Sequence, residues 1–263
     1  MTYTAADHTW IICAYRESPY LEECILSLRG QSVKSAIRIA TSTPNEHKSA
    51  LAGKYGLEVF VNTGEAGIGG DWNFALGTAE TKLRTIAHQD DVYDERYTED
   101  MLERMNRAKR PVMYFTNYGE LRDGERVTDN RLLRVKRILL GPVKYFPGAK
   151  WAKRAALAFG NGICCPSITY VEEEMKGFTF GTRLRSNLDW EMSERLSRKK
   201  GSFVYCPEIR MYHRIHAESA TTGLIGENRR TEEDYEMFRK FWPEGIARML
   251  CRAYAKSEES NQV

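Results

Sequence analysis

Four times between Thr9 and Ala108 the chain passes from a short run of β-forming residues into a longer amphipathic stretch, and no other feature restricts its fold so strongly. Thr9–Ala14 leads through Ser18-Pro19, a helix start, into Tyr20–Leu28. Ala36–Ala40 is followed by Pro44–Tyr55, Glu58–Val61 by Gly70–Ala79, and Lys82–Ala87 by Asp94–Ala108. Parallel strands need a crossover connection, usually a helix, so this succession predicts an α/β chain with a doubly wound, mostly parallel sheet and helices on both faces. With 263 residues, 42% of them hydrophobic, the chain has apolar surface for a sizeable core.

After Pro111 the alternation stops. Val112–Phe115 reads as a strand, and Asp123-Gly124 as a tight hairpin turn between Leu121 and Val127. A basic amphipathic stretch, Leu132–Leu140, breaks at Gly141-Pro142, and a glycine-rich turn, Gly160-Asn161-Gly162, leads into Ile163-Cys164-Cys165. A helix is expected from Leu188 to Lys199, strands near Ser202–Tyr205 and Ile209–Tyr212, and helices at Glu232–Phe241 and Ile246–Tyr254 before a frayed tail from Lys256.

The charge of +3 is unevenly spread. No acidic residue falls between Asn130 and Val171, where Arg131, Arg134, Lys136, Arg137, Lys144, Lys150, Lys153 and Arg154 are all positive. Such a segment suits an anionic membrane surface or a phosphate-bearing acceptor, and nucleic acid less well, because no base-reading motif accompanies it. No run approaches the roughly 20 apolar residues of a membrane helix, and the first residues have neither a basic start nor an apolar core. Six cysteines without a CxxC pair read as reduced thiols. The expected location is cytoplasmic, with peripheral contact at the inner membrane face.

Ligands of open α/β sheets bind beyond the carboxyl ends of the strands. Four loops converge there: Ala14–Glu17, Thr41–Asn45, Gly67–Asp71 and His88–Asp91. Gly67, Gly69 and Gly70 ahead of a helix permit backbone N–H groups to approach phosphate. Asp90 and Asp91 are adjacent carboxylates beside an imidazole, a pairing tolerable where a divalent cation or several N–H donors neutralise it. Asp189 opens a helix beside Trp190, whose side chain offers a large surface for a ring to pack on, and a single carboxylate at a cleft rim suits a general base for a hydroxyl nucleophile. Late in the chain, Tyr212–Thr222 places two histidines and an arginine after a strand.

These elements, in this order, resemble the family-two glycosyltransferases of GT-A fold, inverting enzymes that move a sugar from a nucleotide diphosphate donor to a hydroxyl acceptor, here of the bacterial cell-surface polysaccharide type. Trp10–Glu17, with Leu21–Leu28 and Gln31-Ser32, is similar to the family's opening strand, loop and helix; Gly70–Leu76 resembles its asparagine-containing helix start. His88–Asp91 stands at its DxD-type element, Asp189 at the end of its "ED" base motif, and Arg214–Ser219 at its "RxHxxS" element. The departures are Thr41–Asn45 where many members carry an acidic "DDGS" turn, His88 and Gln89 at the first and middle positions of the DxD, and Leu188 before Asp189.

The resemblance implies a catalytic domain over residues 1–222, with 1–118 binding the nucleotide sugar and 119–222 the acceptor, and a helical extension over 223–263. It implies Asp189 as general base and a divalent cation, Mn2+ or Mg2+, on Asp90 and His216, with His88 or Asp91 as further ligands. Donor contacts are expected from Ala14, Tyr15, Glu17, Ser42, Thr43, Gly70, Asp71, Asn73, His88, Gln89, Asp90, Arg214 and Ser219, and acceptor contacts from Asn161, Asn187 and Trp190. The expected donor is a UDP-sugar and the acceptor a glycan or a lipid-linked glycan. Two other readings are a nucleotide-binding module without turnover, and a metal-dependent hydrolase or nucleotidyltransferase using His88, Asp90, Asp91 and His216.

Overall fold

The computed structural model describes residues 2–65, 67–181, 183–216 and 229–259. In chain order its strands are β1 (His8–Cys13), β2 (Ala36–Thr41), β3 (Glu58–Val61), β4 (Leu83–His88), β5 (Val92–Tyr93), β6 (Pro111–Arg122), β7 (Glu125–Val127), β8 (Ile168–Val171) and β9 (Ser202–Ile215). Between the first strands lie α1 (Leu21–Arg29), α2 (Glu46–Tyr55), α3 (Ile68–Gly77) and α4 (Tyr97–Arg107). The second half adds α5 (Arg131–Leu139), α6 (Gly141–Tyr145), α7 (Lys150–Ala155), α8 (Glu172–Met175), α9 (Leu188–Ser197), α10 (Arg229–Arg239) and α11 (Glu244–Glu259).

One sheet runs β3-β2-β1-β4-β8-β6-β9-β5, with β7 hairpinned onto β6. Its first four strands are mutually parallel, β8 is antiparallel to both neighbours, and β6 and β9 are parallel to each other. Most strands thus point one way, as the βα succession predicts. Local chemistry sets the element ends. Asn45 caps α2 by accepting the Lys48 N–H at 2.9 Å, and Gly56 closes it with φ of 63°. Asp123 and Gly124 have φ of 49° and 84°, the two left-handed residues of a tight hairpin.

Two features differ from the sequence pattern. β8 is a strand of only four residues between Pro166 and the glutamates of α8, too short to show periodicity. The two late strands are one, β9, which passes through Pro207 because its ladder with β6 shifts register near Thr116 and Asn117, where no N–H donor is required.

Alternation along β1 distributes the core to both faces. Trp10 and Ile12 pack with Leu21, Ile25, Tyr97 and Met101 on one side, while Ile11 meets Ala40 and Ala75 on the other. A second large cluster joins Phe115, Phe180, Trp190 and Phe203 to Met237, Phe238, Ala247 and Cys251, so that α10 and α11 are part of the core.

A buried polar chain crosses the middle of the sheet. His8 joins Ser35 Oγ through Nδ1 and Thr85 Oγ1 through Nε2, each at 2.8 Å; Thr85 meets Thr169 at 2.6 Å, and Tyr97 Oη reaches Thr169 at 3.0 Å. Burial pushes the His8 pKa down from 6.5 to about 3, so the folded chain holds it neutral. Between those values the unfolded chain binds a proton that the folded one refuses, and stability is lost as pH falls from about 6.5. Urea titrations of the wild type and His8→Gln at pH 7 and pH 5 should show the wild type losing about 2 kcal/mol more than the variant over that interval. Equal losses would mean that His8 titrates normally in the fold.

Candidate active site

The parallel pairings of β1 with β2 and β4 bring Cys13, Ala40 and His88 to one edge, and the loops that follow meet there. Gln89 clamps the first loop. Its Oε1 accepts the Tyr15 N–H at 3.1 Å and its Nε2 donates to the Tyr15 carbonyl at 2.8 Å. Thr43 Oγ1 accepts the Arg16 N–H at 2.5 Å, and buried Lys48 donates to the carbonyls of Arg16 and Thr43. Gln89 and Thr43 thus hold the backbone of the loop after β1. Ala14 is buried, whereas Tyr15 and Glu17 stand exposed at the rim.

The carboxylate missing from the turn after β2 is supplied from α3. Asp71 accepts Ser42 Oγ at 2.9 Å and Asn62 Nδ2 at 2.8 Å, grouping three polar side chains beyond β2 and β3. The glycines before them serve backbone packing: a Cβ on Gly70 would lie 2.2 Å from the Glu65 carbonyl oxygen, and one on Gly69 2.4 Å from that of Gly181. Asn73 differs from expectation. Both ends of its amide hold the Phe180 backbone, at 3.0 and 2.8 Å, so it secures segment 178–181 instead of facing a donor.

Pairing of β5 with β9 sets His213–His216 alongside Asp90 and Asp91. Asp91 is fully buried; its Oδ1 accepts His213 Nδ1 and the Arg214 N–H, both at 2.9 Å. Burial lowers the His213 pKa, but the Asp91 charge and hydrogen bond outweigh it and raise the pKa above the ordinary value. Asp90 Oδ2 meets His216 Nε2 at 2.8 Å. Burial raises its pKa, and the His216 hydrogen bond with the neighbouring imidazoles prevails to hold it below the usual range. The Arg214 guanidinium donates to the Asp90 carbonyl at 2.8 Å and to Glu23, over the Tyr20 ring, and so fastens the acidic loop.

His88, Asp90 and Asp91 present ligand atoms within 4.8 Å of one another. Among the described residues, His88 Nε2 and Asp91 Oδ2 are buried without a hydrogen-bond partner. Asp91 Oδ2 lies 3.9 Å from His88 Nδ1; a buried carboxylate oxygen without a hydrogen bond is costly unless its charge is neutralised, and a carboxylate-imidazole set fits a divalent cation. Trp72 stacks on the His88 ring at 5.6 Å.

Across this centre lies Asp189, at the start of α9. Asn161 Nδ2 donates to its Oδ2 at 2.7 Å. Burial raises the Asp189 pKa against the Trp190 N–H, Asn161 and the His88 charge, which act to lower it. The other two expected acceptor residues belong elsewhere. Trp190 has no exposed surface; its Nε1 donates to the Leu157 carbonyl at 3.1 Å and its ring packs edgewise on Phe238. Asn187 is buried and donates to Asp234 at 2.7 Å. Both anchor α9 to α10, whose Glu233 holds the chain entering α9 by accepting the N–H groups of Arg185, Ser186 and Asn187. Ser219 lies outside the described residues.

The sequence reading gives no individual role to Asn62, Glu23, His213 or Trp72. Glu23, Trp72 and His213 lie within Leu21–Leu28, Gly70–Leu76 and Tyr212–Thr222, the stretches that carry the resemblance, but their partners come from packing. Asn62 lies in none of these stretches, and only its bond to Asp71 places it beside the site.

A family model for "Glycosyl transferase family 2" matches residues 9–157, more than half of the chain. No curated protein matches by sequence. Among solved structures, residues 1–349 of S. aureus TarS share the fold with a TM-score of 0.63 at 13% identity, over 93% of this chain and 69% of that one. In longer TarS the match covers 92% of this chain and 42% of that one, with a TM-score of 0.60 at 14% identity. Mannosyltransferase PcManGT from Pyrobaculum calidifontis, in complex with GDP-Man and Mn2+, matches with a TM-score of 0.64 at 14% identity, over 97% of this chain and 70% of that one. With the loops gathered at the carboxyl edge of a βα sheet, the sequence match to residues 9–157 gives the assignment: the chain is a glycosyltransferase of family 2.

Proposed function

We propose that the chain moves a sugar from a nucleotide diphosphate donor to a hydroxyl of a glycan or lipid-linked acceptor, with inversion at the anomeric carbon. The observation that carries this reading is Asp189, a carboxylate at the start of α9 that Asn161 Nδ2 orients and that burial makes harder to ionise. Raised proton affinity is what a general base requires. The acceptor hydroxyl gives its proton to Asp189 as its oxygen bonds to the anomeric carbon, and the bond from that carbon to the diphosphate breaks on the opposite face. A glycoside and a nucleoside diphosphate result.

Asp90 and His216, with His88 and Asp91 beside them, are the residues that would hold Mn2+ or Mg2+, which when bound supplies positive charge to the departing diphosphate. The imidazoles favour manganese. Ser42, Asp71 and Asn62 are assigned to the nucleoside, and the Gln89-held backbone of Tyr15 to the approach of the donor. A UDP-sugar is the expected donor. TarS is solved with UDP and with UDP-GlcNAc, and PcManGT with GDP-Man, so both bases belong in the test. A cytoplasmic location accompanies this reading.

Asp189→Asn should lower kcat by roughly 10²–10⁴-fold while leaving the donor Kd nearly unchanged. Turnover at the wild-type rate would remove Asp189 as base. Asn161 stabilises the ionised Asp189, so Asn161→Ala should raise that pKa further and move the acid limb of the kcat/KM profile to higher pH. An unmoved limb would mean that the titrating group is another. Thermal unfolding with UDP or GDP, in manganese or chelator, should show stabilisation by one nucleotide with manganese alone, about 2.7 kcal/mol at 100 times Kd. Equal stabilisation in chelator would exclude the metal, and donor cleavage that ignores added acceptor would indicate a hydrolase.

A further inference from the structure

The eight cations between Arg131 and Arg154 separate into two groups. Five are engaged within the protein. Lys136 donates to Tyr118 Oη at 2.6 Å, buried Lys153 donates to the carbonyls of Lys199 and Gly201, and Arg154 pairs with Glu194 at 2.5 Å. Arg134 and Arg137 share Asp129. Arg131, Lys144 and Lys150 are exposed and carry no ion pair among the described residues.

Large apolar side chains surround those three. Ile138 is 74% exposed, Tyr145 71%, Trp151 59% and Phe146 54%, although α5, α6 and α7 are successive, packed helices. Phe146 and Trp151 lie tilted against each other with ring centroids 5.3 Å apart, and the Lys144 ammonium lies 5.6 Å from the Tyr145 ring centroid. On α5 the spacing of Arg131, Val135 and Ile138 sets them on one outward face, and only Leu133 of that helix is fully buried. Exposed aromatics and aliphatics interleaved with lysine and arginine are the composition of a surface lying at the headgroup level of a bilayer. A partner protein would need apolar complementarity but not uniform positive charge, whereas anionic lipid uses both.

We propose that this face of α5–α7 docks on an anionic bilayer, with Ile138, Tyr145, Phe146 and Trp151 entering the headgroup boundary and Arg131, Lys144 and Lys150 meeting lipid phosphates. The placement has a consequence for the acceptor. The loop that brings Asn161 to Asp189 leans on α5, where Gly162 abuts the Lys136 carbonyl and Leu140, so a docked α5 holds the acceptor side of the site beside the lipid surface. The surface goes beyond the transferase reading and stands without it. No helix among the described residues is long and apolar enough to cross a membrane.

Co-sedimentation of the full chain with phosphatidylcholine vesicles, with and without phosphatidylglycerol, tests the proposal. Wild type should bind the anionic vesicles and be released by salt. Arg131→Gln, Lys144→Gln and Lys150→Gln together should weaken binding by roughly 100-fold, since each cation near an anionic surface contributes a factor of about five. Tyr145→Ser, Phe146→Ser and Trp151→Ser together should weaken it comparably and leave the residual binding more salt-sensitive. Circular dichroism and Tm of both variants should match wild type, because all six side chains are exposed. No preference of wild type for anionic vesicles, or undiminished binding by the folded charge variant, would overturn the proposal. So would concentration-dependent self-association abolished by the aromatic variant, or oligonucleotide binding in place of vesicle binding. None of these outcomes depends on turnover, so failure here and failure of the transferase assignment are separable.

Discussion

A fully buried carboxylate, Asp91, ties the first half of this protein to the last strand of its sheet. Burying a charge is unfavourable unless it is paired and hydrogen-bonded, and Asp91 meets that condition only when β9 lies alongside, offering the His213 imidazole and the Arg214 N–H. The same alignment delivers His216 to Asp90 and the Arg214 guanidinium to the Asp90 carbonyl. The acidic loop after β4 therefore has its shape only in the finished sheet, and the candidate metal ligands are assembled by strand pairing across more than a hundred residues of chain.

The two sides of the site are built differently. On the donor side, backbone is held by side chains: Gln89 on Tyr15, Lys48 on Arg16 and Thr43, Asn73 on Phe180. Several residues whose types suggest ligand contacts are committed to this work, while Asp71, Ser42 and Asn62 form a hydrogen-bonded polar group beyond β2 and β3, the group proposed to meet the nucleoside. On the acceptor side one polar contact matters most, Asn161 to Asp189, and it is supported from beneath by an apolar cluster in which Trp190, Phe238 and Tyr254 pack together. Helices α10 and α11 thereby support the segment that carries Asp189, through Glu233 on the residues leading into α9 and Phe238 against Trp190.

Charge is sorted by geometry rather than by composition. Lys153 and Lys136 belong to a stretch that reads as uniformly basic in sequence, yet each turns inward to carbonyl or hydroxyl oxygens, while Arg131, Lys144 and Lys150 remain exposed, Lys144 over the Tyr145 ring. An ammonium on a long apolar stem can be used either way, and the neighbouring backbone decides which.

The sequence alone determined the βα alternation, the positions of most helices and strands, the hairpin at Asp123-Gly124, and the loops that gather at the carboxyl edge, because these follow from periodicity and turn chemistry that act over a few residues. Asp90 and Asp189 were legible as candidates for the same reason, each standing where a strand ends or a helix begins. Only the tertiary structure decided what Trp190, Asn187, Asn73 and Arg214 do, since a polar or aromatic side chain takes whichever partner the packing brings within hydrogen-bond distance, and those partners, Leu157, Asp234, Phe180 and Glu23, lie far along the chain. The joining of two short strands into β9 was decided in the same way: Pro207 breaks the local pattern, and the shifted ladder with β6 accommodates it.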